Sequence, residues 1–231
     1  MLKKLSLSCF LALCGYALIG QSDIPLWETP LTSVGEVPRD FYRAYEDRIE
    51  RERQEIEERD SKFESQVQEQ FLEESEFYLS RFLASGDILF GDTITRYCEE
   101  IVDLLLKNDP ELRAKIRVYT VRTPRVNAAA TNSGILLVNH GLIAEVENEA
   151  QLAAVLAHEI IHYREKHSVE QYLERERRSR ASSSWFSDDE EEGLESFNQY
   201  SQEHELDADT EGLEDYYLPA GYSHREAEYM M

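Results

Sequence analysis

His158-Glu159-Ile160-Ile161-His162 is the part of this sequence whose residue types and spacing do chemistry most directly. Histidines at i and i+4 project from one face of a helix. Two imidazoles at that separation can close on one tetrahedral Zn²⁺. Glu159 stands one position on, where it reaches a water activated by the metal without ligating the metal itself. Zinc lowers the pKa of such a water to about 7, and a carboxylate in that place can take its proton. The arrangement is that of peptide-bond hydrolysis, with Glu159 as general base. The bland alternative is a pair of histidines on an ordinary amphipathic helix. Chance matches to this pattern are rare in a chain of this length.

Such a site needs a third protein ligand. His167 is one option, but a third histidine of the metzincin kind requires a glycine three residues after His162 and a histidine three further on. Glu165 and Ser168 stand there instead. His167 is therefore expected on the exposed side of its helix. The second option is Glu205, four residues before Asp209. A glutamate from another helix completes a His₂Glu set with a water in the fourth position. Asp209 would then accept a hydrogen bond from the free ring nitrogen of a ligating histidine. By spacing alone, Glu205 and Asp209 read equally well as one more acidic helix face.

The elements that must position these groups are legible in outline. Glu149 to about Arg178 reads as one long helix, with Leu152, Val155, Leu156, Ile160 and Tyr163 on its early apolar side. A last helix runs from about Leu194 to Tyr217 and is stopped by Pro219-Ala220-Gly221. Between them, residues 179–193 are serine-rich and then acidic, which reads as a flexible linker and a candidate lid. Upstream, Asp92 or Thr93 caps a helix over Ile94–Lys107. Ile116, Val118 and Val121 suggest a strand, and Asn127 to Val138 a hairpin or short sheet. The fold class is a mainly helical α+β domain over 85–231, with a small antiparallel sheet.

Three further segments precede it. Residues 1–20 carry Lys3 and Lys4, then an apolar run from Leu5 to Ile19 and a small Gly20, the pattern of a signal peptide. An uncleaved membrane anchor is the minor alternative. Residues 21–39 hold three prolines and read as an extended lead-in. Residues 40–84 are charged, and Ile49, Ile56 and Phe63 recur at seven-residue intervals, which predicts one long helix lying on the domain.

Composition bounds the partners. There are 24 Lys and Arg against 47 Asp and Glu, a formal charge of −23, which argues against nucleic acid and anionic membrane as main partners. Membrane contact is left to the N-terminal segment. Beyond Cys9 and Cys14 in the leader, Cys98 stands alone, so no intrachain disulfide is expected downstream.

Asn127-Ala128, the run Gly134 to Leu142, Glu149 to His162, Glu205-Leu206-Asp207-Ala208-Asp209 and Ala220-Gly221-Tyr222 together resemble the zinc metallopeptidases of the CAAX-prenyl-protease family, which includes soluble periplasmic BepA-like members. That resemblance implies a gluzincin fold, one Zn²⁺ per chain on His158, His162 and Glu205, and Glu159 as base. It implies a strand edge around Asn127–Thr131 to which an extended substrate adds. It further implies export to the periplasm or beyond, and misfolded or unassembled envelope proteins as substrates. Later residues that steady the oxyanion in the family have no evident counterpart here; His204, Tyr222 and His224 are the local substitutes. The rival reading is a catalytically silent, zinc-containing binding or chaperone-like protein.

Overall fold

The computed structural model describes residues 61–181 and 200–227, together with residues 46, 49–54 and 56. The expected leader over 1–20, the lead-in over 21–39 and residues 182–193 of the expected linker lie outside the described residues.

The charged segment does not run as the single helix expected over 40–84. Residues 49–54 are helical, but a new helix, α1 (Lys62–Ser85), starts behind Ser61. Ser61 is extended, and its Oγ accepts from the Glu64 N–H at 3.3 Å. Ser61-x-x-Glu64 has the spacing of a capping box, so a start signal lay inside the heptad-like pattern and outweighed it. The two pieces lie against each other. Arg53 pairs with Glu76 at 3.3 Å, and Ser65 Oγ donates to the Ile56 carbonyl at 3.1 Å. Helix α1 buries Val67 and Phe71 against Tyr172 and Leu173 from later in the chain.

The sheet comes next. Strand β1 (Ile88–Leu89) leads to α2 (Thr93–Leu105), which Asp92 caps by accepting from the N–H groups of Ile94 and Thr95, both at 2.9 Å. A short α3 (Pro110–Lys115) precedes β2 (Arg117–Val121), β3 (Ala128–Ala130) and β4 (Ile135–Asn139). The sheet order is β1-β2-β4-β3. It is mixed, where an antiparallel sheet was expected: β2 and β4 pair in parallel, from Arg117 opposite Ile135 to Val121 opposite Asn139. The cause is topological. The chain leaves β2, places β3 at the outer edge, and turns back at Gly134 so that β4 fills the gap between them. The expected hairpin over 127–138 is thus present as β3 and β4. Helix α4 (His140–Glu145) follows at once. Gly141 is required there, because a Cβ at that position would lie 2.2 Å from the Pro124 carbonyl oxygen.

Helix α5 (Glu149–Arg164) runs through the centre, capped by Asn148. Leu152, Leu156, Ile160 and Ile161 are buried, as are Ala153, Ala154 and Ala157. Apolar burial around so much of a helix marks it as the core element. The helix does not continue to residue 178. Lys166 takes a left-handed φ of 57°, and a second helix, α6 (His167–Ala181), departs in a new direction. No glycine or proline advertises this break. The last elements are α7 (Gln202–Glu211), a π-helical turn over Gly212–Tyr217, and two short helices at Leu218–Ala220 and His224–Ala227. Among the described residues no helix is long and apolar enough to cross a membrane.

Asp92 also joins α2 to the sheet, since its Oδ2 accepts from Thr95 Oγ1 at 2.5 Å and from Thr120 Oγ1 at 3.3 Å. Burial pushes its carboxyl up, but these hydrogen bonds outweigh burial and hold it below the ordinary aspartate value. Asp92→Ala is expected to lower stability by about 1 kcal/mol in urea unfolding at pH 7. A depressed folded pKa gives stabilisation that is present above the unfolded value and lost as pH falls through the folded one. The gap between parent and variant should therefore narrow in acid.

Candidate metal centre

Helix α5 carries His158 and His162 one turn apart, and their Nε2 atoms lie 2.9 Å from each other. Glu205 comes in from the first turn of α7. Its carboxylate oxygens stand 3.5 Å from His158 Nε2 and 3.8 Å from His162 Nε2. The three groups could hold a metal ion. Tetrahedral zinc with bonds of about 2.1 Å separates its ligand atoms by roughly 3.4 Å. The two glutamate distances fit that figure, and the imidazoles sit slightly inside it.

The outer nitrogens of both rings are engaged, which turns Nε2 inward in each case. His158 Nδ1 meets Asp209 Oδ1 at 2.8 Å. Asp209 lies one turn beyond Glu205 on α7, so a single helix supplies both groups. His162 Nδ1 meets His167 Nδ1 at 2.8 Å. This corrects the expectation for His167. It is not exposed but 3% accessible, because the left-handed turn at Lys166 folds α6 back and carries the ring behind His162. His167 in turn stacks on His204, with ring centroids 4.4 Å apart. His204 is likewise buried, and its Nε2 lies 3.4 Å from Glu170.

Tyr200 stacks flat on His162, with centroids 3.8 Å apart and 15° between the rings. No motif or spacing points to it. It sits beside Ser201, whose hydroxyl caps α7 by accepting from the His204 N–H at 3.2 Å. Burial, with Glu159 and Glu205 nearby, pushes the Tyr200 phenol well up, so it stays neutral. His162 is only 1% accessible, and burial, reinforced by His158, His167 and His204, brings its pKa down to about 2. The imidazole is therefore neutral, the form that ligates metal.

Glu159 points the other way from α5, toward the sheet. Its Oε2 accepts from the Ala130 N–H on edge strand β3 at 2.8 Å. Burial raises its pKa. His158 and the Ala130 N–H oppose the rise, and Glu205 adds to it. A carboxyl placed so takes up a proton more readily than a solvated glutamate.

Two contacts set the spacing of α5 and α7. Gly212 lies against the α5 backbone, where a Cβ would come within 3.0 Å of the Ala157 carbonyl and 3.1 Å of the His158 nitrogen. Arg164, at the end of α5, pairs with Glu211 and reaches Asp215 at 2.7 Å and the Tyr216 hydroxyl at 3.1 Å. Two of the three local substitutes named above are not at the metal site's edge: Tyr222 donates to Glu149 at 2.9 Å, at the far end of α5, and His224 lies in the last short helix. Only His204 is close.

Residues 94–189 match Peptidase family M48. That stretch, which holds His158, Glu159 and His162 but stops short of Glu205, is similar to the peptidases of that family. It is 29% identical over 102 residues to the beta-barrel assembly-enhancing protease of Yersinia pestis, a stretch that covers 44% of this chain and 21% of that protein. It is 26% identical over 102 residues to the putative beta-barrel assembly-enhancing protease of Vibrio cholerae, with the same coverage. The protein of that name in Escherichia coli strain K12 is 24% identical over 98 residues, 42% of this chain and 20% of the relative. The matched stretch thus spans about a fifth of the length of these relatives.

Asp209→Ala and His167→Ala should each weaken Zn²⁺ affinity by about 10- to 100-fold, as loss of groups that orient metal-bound histidines does. Competition against a zinc chelator checks this. Circular dichroism of the metal-free forms checks that the fold survives.

Proposed function

We propose that this chain is a zinc-dependent metalloendopeptidase. The observation that supports it most is the convergence of His158, His162 and Glu205 beside a buried Glu159 that is bonded to the outer strand β3. In this reading His158, His162 and Glu205 hold the ion, and Asp209 and His167 fix the two imidazoles in the ligating tautomer. Zinc would supply a Lewis acid that activates a water and polarises the scissile carbonyl.

The rest of the work falls to the chain's own residues. Glu159 takes the proton from the attacking water. Its raised affinity for protons suits that step, and the same carboxyl then delivers the proton to the departing amine. The Ala130 N–H keeps the carboxylate oriented meanwhile. Strand β3 presents its outer edge, and Ala128 and Ala130 direct backbone groups along it, since Ala129 spends its own on Leu137 of β4. An extended peptide can add there as a further strand, with its scissile bond drawn over Glu159 and the metal site. Sequence-independent backbone pairing suits an enzyme whose substrates are unfolded or unassembled polypeptides. The relatives are named for enhancing beta-barrel assembly, and in this reading the substrates are misfolded or unassembled envelope proteins. Export through the segment 1–20 belongs to the same reading.

The experiment is a zinc determination and a casein digest of the purified chain beside Glu159→Gln. One zinc in each protein is expected, with activity falling by 10²-fold or more in the variant, about the contribution of a general base. Absence of zinc from the parent would overturn the proposal. One zinc with no hydrolysis of any unfolded substrate would leave the binding-protein reading.

A further inference from the structure

A cavity of about 250 Å³ has Tyr163 of α5 and Asn132, just past β3, in its lining. Tyr163, which lines it, is one helical turn past Glu159 on the same face of α5, about 5.4 Å along the axis. Asn132, which also lines it, lies in the turn two residues after Ala130. Helix and strand thus lead from the base toward the same place. The roof comes from residues 51, 52 and 56 of the N-terminal helical piece, tied down where Asn132 Nδ2 donates to Glu52 at 3.3 Å.

The chemistry of the lining is specific. Phe71, Leu72, Leu112 and Val169 give apolar walls. Two polar side chains, Gln68 at 4% accessible and Ser168 at 6%, line it as well, and neither makes a hydrogen bond among the described residues. An amide and a hydroxyl in the wall of a largely apolar cavity offer hydrogen bonds to a ligand that reaches them. Both are neutral. Of the cations in the lining, Arg51, Lys115 and Lys166 are exposed, and the partly buried Arg164 is paired with Glu211 and Asp215. The cavity exceeds the roughly 150 Å³ that accepts a benzene ring in an engineered apolar core. An aromatic ring with a neutral hydrogen-bonding tip fits volume, walls and polar pair together.

We propose that this cavity is a substrate subsite for a tyrosine side chain, belonging to a residue near the scissile bond. The ring packs on Phe71 and Leu72, and the phenol bonds to Gln68 and Ser168. The inference rests on the peptidase reading, and its test separates the two.

The first measurement is binding of p-cresol and of toluene to the zinc-loaded Glu159→Gln chain, followed by isotope-edited NMR. p-Cresol should bind about tenfold more tightly than toluene, the worth of one or two neutral hydrogen bonds. Gln68→Leu should abolish the difference while leaving toluene binding in place. The second is mass spectrometry of the ends cut from a randomised peptide library by the parent. Tyrosine should be enriched at one fixed position, and Gln68→Leu should remove its advantage over phenylalanine. Equal binding of the two probes, no binding of either, or enrichment of aspartate and glutamate instead would overturn the subsite. Casein hydrolysis that still depends on Glu159 would then leave the peptidase reading standing. Binding of p-cresol without hydrolysis of any peptide would also overturn it, as a ligand cavity with no substrate to serve.

Discussion

Helix α5 carries ionisable side chains into a place where water is scarce. Glu159 and His162 are buried within a core of leucine, isoleucine and alanine, and His158 is mostly so. A buried polar group costs several kcal/mol unless a partner meets it. Every neighbouring element answers that demand. Strand β3 gives the Ala130 N–H to Glu159, α7 gives Asp209 to His158, and α6 gives His167 to His162. Each of these partners comes from a different part of the chain. The relative placement of strand and helices is therefore set by the need to satisfy one turn of α5 as much as by apolar burial.

Close approach is the second requirement. Glutamate has a short reach, so α7 must lie near α5 for Glu205 to face the histidines. Ala153, Ala154 and Ala157 keep the α5 surface low, and Gly212 brings the following turn onto the helix backbone itself. The π-helical stretch that begins at Gly212 lies directly beyond α7. Irregular turns of this kind commonly accompany functional sites. Arg164 closes the far end with its carboxylate partners, so the two helices are held both by packing and by charge.

The site was more legible than the frame around it. His158, Glu159 and His162 are local in sequence, and their spacing is itself the signal. Glu205 and Asp209 were recognisable as an i, i+4 pair, although spacing alone left them indistinct from an acidic helix face. The hairpin of β3 and β4 was marked by the small, turn-prone residues between its strands. The parallel pairing of β2 and β4 was not, because register between distant strands leaves no local trace. His167 was misplaced for a related reason. The left-handed turn at Lys166 is made by a lysine, which ordinarily favours helix, and tertiary packing of α6 on α1 overrides that preference. Tyr200 carries no spacing rule at all; its place follows from where α7 begins. Gln68 and Ser168 reveal their character only through burial.

The partners of α5 are also far away along the chain. Ala130 precedes Glu159 by 29 residues, and Asp209 follows His158 by 51. Contacts of such separation require large loops to close before they are rewarded. The histidine pair exists as soon as α5 forms, but a complete donor set arises only when α7 has docked. If the three groups hold a metal ion, its capture on this scaffold waits for that docking. A chain with α5 formed but α7 undocked would carry two imidazoles with no carboxylate beside them, so a complete donor set and a finished tertiary structure arrive together.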